Sequence, residues 1–447
     1  MQKPLALQSQ YCDTRNHCLK PPGRQEIMSA KLPSVGIIGG GPAGLSLARL
    51  LQETGKFSPT VFEANPQLGG KSFSFLHGDA VVEMGTCYTT RAHWRVLGWM
   101  KEAGIGLRPL GEQVFDGEDF MDYVKRGDGP SLAIQVPRFL MARRKLMAAL
   151  ARKDIPAWAE TQAAEPVADW LRARKLHKIE RFMYRSMTNL GYGFVDETPT
   201  VQAMRWNDLD LILTGLLKQL KMPAEGWTTF WERAAAKLDV RLDSRVTAVD
   251  RSGPRPAITT SQGDTFEFDQ IVCTIPIDDF VSGADATENE KEVASAIRWN
   301  GYTTTLVAVE DWFDDVTVHA YSSALLPGSP YGRMMSARID GDEPELGGKL
   351  YLTGQLSGSY TDAELQEILI DEIAEHGGKP VNTILQKTWK YFAQYDNEAV
   401  RNGLLRRFRD MQGEKSTWYS GSTFSHEAVS NIVNFNAGLV RQMLKHA

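Results

Sequence analysis

Three glycines and one acid carry the most specific chemistry in this chain. Gly39, Gly41 and Gly44 follow a short apolar run, Val35 to Ile38, and Glu63 stands nineteen residues beyond Gly44. In this spacing the first glycine makes a tight turn, the second lets backbone approach a pyrophosphate, and the third lets the following helix pack on its strand. The phosphates then meet a helix N-terminus at Pro42 and Ala43, where free N–H groups favour negative charge. Glu63, followed by Ala64, falls where the ribose hydroxyls of an adenosine would lie. The chemistry implied is the binding of a dinucleotide.

The elements that must position these residues are legible too. Val35 to Ile38 predicts a strand, and Ala43 to Thr54 a helix with Leu45, Leu47, Ala48, Leu50 and Leu51 on its apolar face and Gly55 as its stop. Thr60 to Phe62 predicts a second strand ending at Glu63, which completes a βαβ unit. Further along, Arg245 to Val249 (with Val246), Ala257 to Thr260, Thr265 to Phe268 and Gln270 to Cys273 read as strands, the last running into Thr274-Ile275-Pro276. At the end, Trp418 and Tyr419 run into a turn at Gly421 and Ser422, and Val429 to Lys445 reads as a helix.

The remainder splits into two further patterns. His93 to Gly104 predicts a helix with Trp94, Val96, Leu97, Trp99 and Met100 apolar. From Pro137 to Leu220 helical patterns dominate, broken at Pro156, Pro166 and Pro199, and Trp227 to Leu238 reads as another helix. Between Tyr302 and Tyr391 strand patterns (Thr303 to Val309, Leu350 to Gly354) flank one helix, Asp362 to His376. The expected fold class is α/β: a Rossmann-like dinucleotide domain of the two-dinucleotide-fold type, discontinuous, joined to a mixed α+β substrate domain with a helical lobe. The expected boundaries are 34–110, 225–285 and 393–447 for the first domain and 111–224 with 286–392 for the second. Residues 1–33 read as a disordered extension, with Met28 offering an alternative start.

Composition narrows the function classes. A chain of 447 residues suits two domains, and a net charge of −5 gives no reason to expect nucleic acid. No run approaches the roughly 20 apolar residues that cross a bilayer. Four cysteines, Cys12, Cys18, Cys87 and Cys273, form no metal or redox spacing, and the histidines form no metal constellation, so a reduced cytoplasmic setting and no bound metal are expected. Cys87 and Cys273 read as buried strand-end residues. Between Arg138 and Arg185 twelve basic residues face five acidic ones. The cationic stretches Pro137 to Leu150 and Trp170 to Tyr184 therefore read either as solvated faces or as a peripheral membrane contact, and one arginine of this lobe as a partner for a carboxylate. His426 reads as an acid/base group or as a loop residue.

The second glycine cluster adds a resemblance. Gly69-Gly70-Lys71 followed by Glu83-Met84-Gly85 is similar to the segment with which the flavin amine oxidase superfamily wraps the far end of FAD. Within that superfamily the chain resembles the polyenoic fatty acid isomerases, through Glu83-Met84-Gly85, Gly191-Tyr192-Gly193 followed by Pro199, Gly226 before Trp227, Thr388 to Phe392, Met411-Gln412-Gly413 and Tyr419-Ser420-Gly421. The terminal turn departs from the superfamily's common Tyr-Ala-Gly-Glu, since Ser422 occupies the place of the acid that bonds a ribityl hydroxyl. The resemblance implies non-covalent FAD, held by Gly39, Gly41, Pro42, Ala43, Gly44, Glu63, Ala64, Gly69, Gly70, Lys71, Met84, Gly85, Val246, Thr274, Gly421, Ser422 and Val429. It implies hydride chemistry on a long-chain unsaturated fatty acid, giving a conjugated or a new double bond. Tyr192, Trp389, Tyr391 and Phe392 are the candidates to line the reacting carbons, since aromatic faces stabilise a delocalised cation. The same scaffold also hosts amine and secondary-metabolite oxidases, and the non-catalytic Rab GDP-dissociation inhibitors share it.

Overall fold

The dinucleotide-type unit forms as its spacing predicts. The computed structural model describes residues 32–314, 318–343 and 345–446, so the expected N-terminal extension with Cys12 and Cys18 lies outside the described residues. Ser34–Ile38 is a strand, Pro42–Thr54 a helix with proline in its first turn, and Gly55 closes that helix in the left-handed conformation at φ 63°. Ser58–Phe62 follows as the second strand.

These strands sit in a five-stranded parallel sheet ordered 417–419, 270–273, 34–38, 58–62, 239–241. Its five strands come from three separate parts of the chain, 34–62, 239–273 and 417–419, so the sheet closes only on tertiary folding. One face is covered by the first helix, by Trp227–Ala235 and by the C-terminal helix Val429–His446, with Leu47, Leu51, Trp227, Phe230 and Val433 buried between them. Fully buried Asn436 fastens the terminal helix to the first: its amide donates to Ala43 O and to Ser46 Oγ, both at 2.8 Å. On the other face a three-stranded antiparallel meander, 246–250, 257–260 and 265–267, packs down at Gly36, where any Cβ would meet the Phe268 ring at 2.6 Å.

A second, seven-stranded sheet is ordered 379–389, 302–310, 349–356, 334–342, 318–320, 113–115, 118–119. Helix Asp362–Glu375 packs against it through Leu369 and Ile373. The helical lobe comprises Phe120–Lys125, Leu132–Leu150, Ala157–Ala164, Val167–Arg172, His177–Ser186, Thr200–Trp206 and Leu209–Leu216. Pro156, Pro166 and Pro199 each stand at the N-cap of a helix, where a missing N–H costs nothing.

Three expectations need correction. Pro137 lies inside a helix that begins five residues earlier, at Leu132. The stretch from Trp170 to Tyr184 is two helices, interrupted where Lys175 takes φ 56°, and its apolar side chains Trp170, Leu171, Ile179, Phe182 and Met183 are spent on the core. Trp94 is 58% exposed, with the Arg95 guanidinium over its ring, while Val96, Trp99 and Met100 are buried. Among the described residues no helix is long and apolar enough to cross a membrane.

Candidate functional site

One cavity of about 720 Å³ runs from the glycine loop to the helical lobe. Its first end is built by backbone. Gly39 takes φ 110°, and Gly44 lets the first helix rise tightly, since a Cβ there would overlap Gly39 O. Gly41 differs: a Cβ on it would meet no protein atom nearer than 3.8 Å. The space beside Gly41 is therefore cavity, the cradle that a pyrophosphate requires.

Glu63 is buried at the end of the second strand. Its Oε2 accepts from Gly40 N at 2.7 Å, and its Oε1 accepts from Asn65 N and Nδ2 at 2.9 and 2.8 Å. Oε2 retains an acceptor site for a ribose hydroxyl. Lys71 lines the cavity and pairs with Glu427 at 2.9 Å. Pro42, Ala43, Ala64, Gly70, Gly85, Val246, Thr274, Gly421, Ser422 and Val429 also reach the wall. Segments far apart in sequence thus enclose one elongated volume, and the residues present fit FAD.

Three of the expected cofactor residues stand behind the wall. Gly44 shapes the helix start, Gly69 makes a turn at φ 104°, and Met84 is fully buried with its carbonyl accepting from Thr304 Oγ1 and Trp389 Nε1. Glu83 has a structural task as well. Its carboxyl accepts from Trp227 N at 3.0 Å and from Ser74 Oγ at 2.8 Å, which ties the Glu83-Met84-Gly85 segment to the helix opened by Gly226. Burial raises its pKa to about 8, outweighing those hydrogen bonds and Arg338.

The opposite end begins with tyrosines. Tyr192 and Tyr391 stack at 5.8 Å and Tyr302 lies 5.6 Å from Tyr391, and all three line the cavity with Trp389. Lys71 Nζ lies 5.0 Å from the Tyr391 ring centroid, linking the glycine end to this wall. Phe392 is a correction. It is absent from the wall and packs behind Tyr192, at 5.3 Å. His426 completes that rear packing between Tyr192, Trp206 and Phe392, and burial pulls its pKa down to about 3, so it is a neutral member of an aromatic cluster. Cys273 is buried at a strand end, as expected, but Cys87 follows its strand by four residues and reaches the cavity, 2.7 Å from Arg338 Nη1.

Several wall residues carry no motif. Tyr88, Arg185, Asn189, Tyr302 and Arg338 converge on the cavity from separate segments. Nothing local marks them; only the count of basic residues in the helical lobe hinted at Arg185.

The family follows from comparison with known proteins. The model of the flavin containing amine oxidoreductases matches residues 42–418. The chain belongs to this family. A flavin is thus its cofactor, in keeping with the cradle at Gly41. Within this flavoprotein family the chain is similar to a polyenoic fatty acid isomerase of Ptilota filicina, 21% identical over 430 residues, covering 87% of this chain and 82% of that protein. It is also similar to the lysine-specific histone demethylase 1B of Mus musculus, 26% identical over 257 residues, 55% of this chain. The flavoprotein spans only 30% of that demethylase's length. Among solved structures, the CLA-producing fatty acid isomerase from P. acnes superimposes with a TM-score of 0.78 at 22% identity, covering 92% of this chain and 98% of that one. Putrescine oxidase bound to putrescine gives 0.66 at 14%, covering 93% and 99%. At these identities the structural likeness is one of fold.

Proposed function

We propose that this flavoprotein acts on a long-chain unsaturated fatty acid, as a double-bond isomerase or desaturase. FAD, when bound, supplies an acceptor and donor of hydride for an allylic or bis-allylic carbon. Segments 34–110, 225–285 and 393–447 hold it, with Gly41, Glu63, Gly70, Gly421 and Ser422 at its polar groups. Segments 111–224 and 286–392 hold the acyl chain.

The observation that carries this reading is the lining of the second half of the cavity. The wall also carries Phe120, Met121, Phe182, Leu190, Leu211 and Leu352, an apolar group beside the polar residues Arg185, Asn189 and Arg338. Such a wall suits a hydrocarbon chain and excludes water from it. Tyr192, Tyr391 and Tyr302 present electron-rich faces where positive charge would develop on the chain. An amine substrate would instead ask for an unengaged carboxylate. Of the carboxylates lining the cavity, Glu63, Glu83, Glu427 and Asp119 are each bonded to a donor of the protein itself, and Glu112 is exposed.

The test is anaerobic incubation of the FAD-loaded chain with linoleate, followed by ultraviolet absorption. Conjugated diene without net flavin bleaching identifies an isomerase, and bleaching relieved only by an acceptor identifies a desaturase. Amine turnover with neither change would overturn the fatty-acid reading, and failure to take up FAD would favour a non-catalytic lipid binder.

A further inference from the structure

We propose that Arg185, with Asn189 one helical turn further on, forms a carboxylate anchor that grips the substrate by its head and selects free acids over esters and amines. The proposal rests on the fatty-acid reading above and names the subsite that reading lacks. Three arginines are buried among the described residues: Arg185, Arg251 and Arg338, at 8%, 6% and 7% exposure. Arg251 is gripped by Glu290 and Asp285, at 2.6 and 2.7 Å, and Arg338 by Asp340 at 2.5 Å. Arg185 has no such acid. Its Nη1 has no hydrogen-bond partner, its guanidinium lies 5.3 Å from the Phe120 ring centroid, and it lines the cavity.

A buried cation without a counter-ion is costly, and natural interiors rarely keep one without a use. Asn189, 7% exposed, also lines the cavity, and its Oδ1 has no partner either. Two polar side chains with unsatisfied atoms therefore meet at the cavity, next to the apolar wall of Phe120, Phe182 and Leu190. A guanidinium offers two parallel N–H groups to the two oxygens of a carboxylate; Asn189 beside it carries donors on Nδ2, while its unpaired Oδ1 only accepts. Burial pulls the Arg185 pKa down to about 10, so the side chain is still a cation at neutral pH, while burial pushes the neighbouring Tyr88 phenol well above its ordinary value and keeps it neutral. A protonated amine would be repelled by it. Because the anchor and the Tyr192–Tyr391 wall are both fixed to the fold, the number of methylenes between carboxyl and double bond would decide which carbon reaches the wall.

Isothermal titration of linoleate and of methyl linoleate into the full FAD-loaded chain tests this. The unaltered protein should prefer the acid. Arg185→Met should weaken linoleate by roughly ten- to hundred-fold and leave the ester unchanged, removing the preference, while Arg185→Lys keeps part of it. The ligand-free Arg185→Met protein should melt above the parent, since it loses an uncompensated buried charge; a purely structural arginine would give the opposite shift. Unchanged linoleate binding in Arg185→Met, or equal loss of acid and ester, would overturn the anchor and leave the fatty-acid reading standing. A parent protein that binds neither acid nor ester overturns both.

Discussion

Tyr302 occupies the space that any side chain at Gly191 would need. A Cβ on Gly191 would stand 2.7 Å from Tyr302 Cδ2 and 3.0 Å from Tyr391 Cε1, and Gly191 takes φ 77°. At the hydroxyl end of the ring, a Cβ on Gly354 would overlap the Tyr302 hydroxyl. The tyrosine wall of the cavity is thus set by two glycines, Gly191 behind the wall and Gly354 at the cavity surface.

Gly191→Ala is therefore expected to cost about 1–3 kcal/mol in denaturant unfolding, from left-handed strain and from displacement of the rings. Flavin content should persist, because the glycine loop is untouched, while turnover falls. Full turnover in a normally stable variant would contradict the role given to this wall.

Gly41 and Gly44 should separate folding from flavin binding. Gly41→Val meets open cavity, so the protein should fold and melt near the parent temperature while flavin absorbance is lost. Gly44→Val collides with Gly39 O inside the fold and should give little soluble protein. Normal flavin occupancy in Gly41→Val would refute the cradle.

Stability should fall on the acid side. Burial lowers His93 to about 4 and His426 to about 3, against an ordinary value of about 6.5 once unfolded. Below that value the unfolded chain takes up protons that the folded chain refuses. The stability these histidines contribute is complete above about pH 6.5 and is lost progressively down to their folded values. At pH 5.5 each costs about 1.4 kcal/mol. His426→Asn retains an acceptor for the Ala428 N–H, which bonds His426 Nδ1 at 3.2 Å, and should remove its share of the slope in melts recorded between pH 4 and 7.

Gln412 closes a buried sheet edge. Its Nε2 donates to Tyr419 O at 3.0 Å and its Oε1 accepts from Tyr419 N at 2.9 Å, where the outermost strand 417–419 has no neighbour. Gln412→Leu leaves both buried groups unpaired and should cost about 2–4 kcal/mol, read by denaturant unfolding. Flavin retention should weaken because Gly421 follows this strand. The preference among fatty acids should not change, since the Met411-Gln412-Gly413 element shapes the sheet rather than the substrate chamber.

Much of the cofactor end was legible in the order of residues. A dinucleotide cradle is local: strand, glycine turn, helix and acid lie within thirty residues, with Gly39 and Gly44 answering to backbone constraints and Gly41 to the space a pyrophosphate needs. Gly39, Gly41 and Glu63 stand where that logic puts them. Met84 and Phe392 show its limit. A motif marks a residue as constrained, yet Met84 is constrained by the hydrogen bonds its carbonyl accepts and Phe392 by packing behind Tyr192.

By itself the sequence determined the βαβ unit and the glycine cradle, because hydrophobic periodicity and turn chemistry act between near neighbours, and its second glycine cluster carried the resemblance to the flavoprotein family. Only the tertiary structure decided which arginine lacks an acid, which tyrosines face the cavity and which merely pack behind. Those properties depend on what stands opposite a side chain once distant segments meet. Arg251 follows a strand and Arg185 lies in a helix, and neither stretch shows its partner; a carboxylate from a separate helix neutralises the first, and among the described residues no acid pairs with the second.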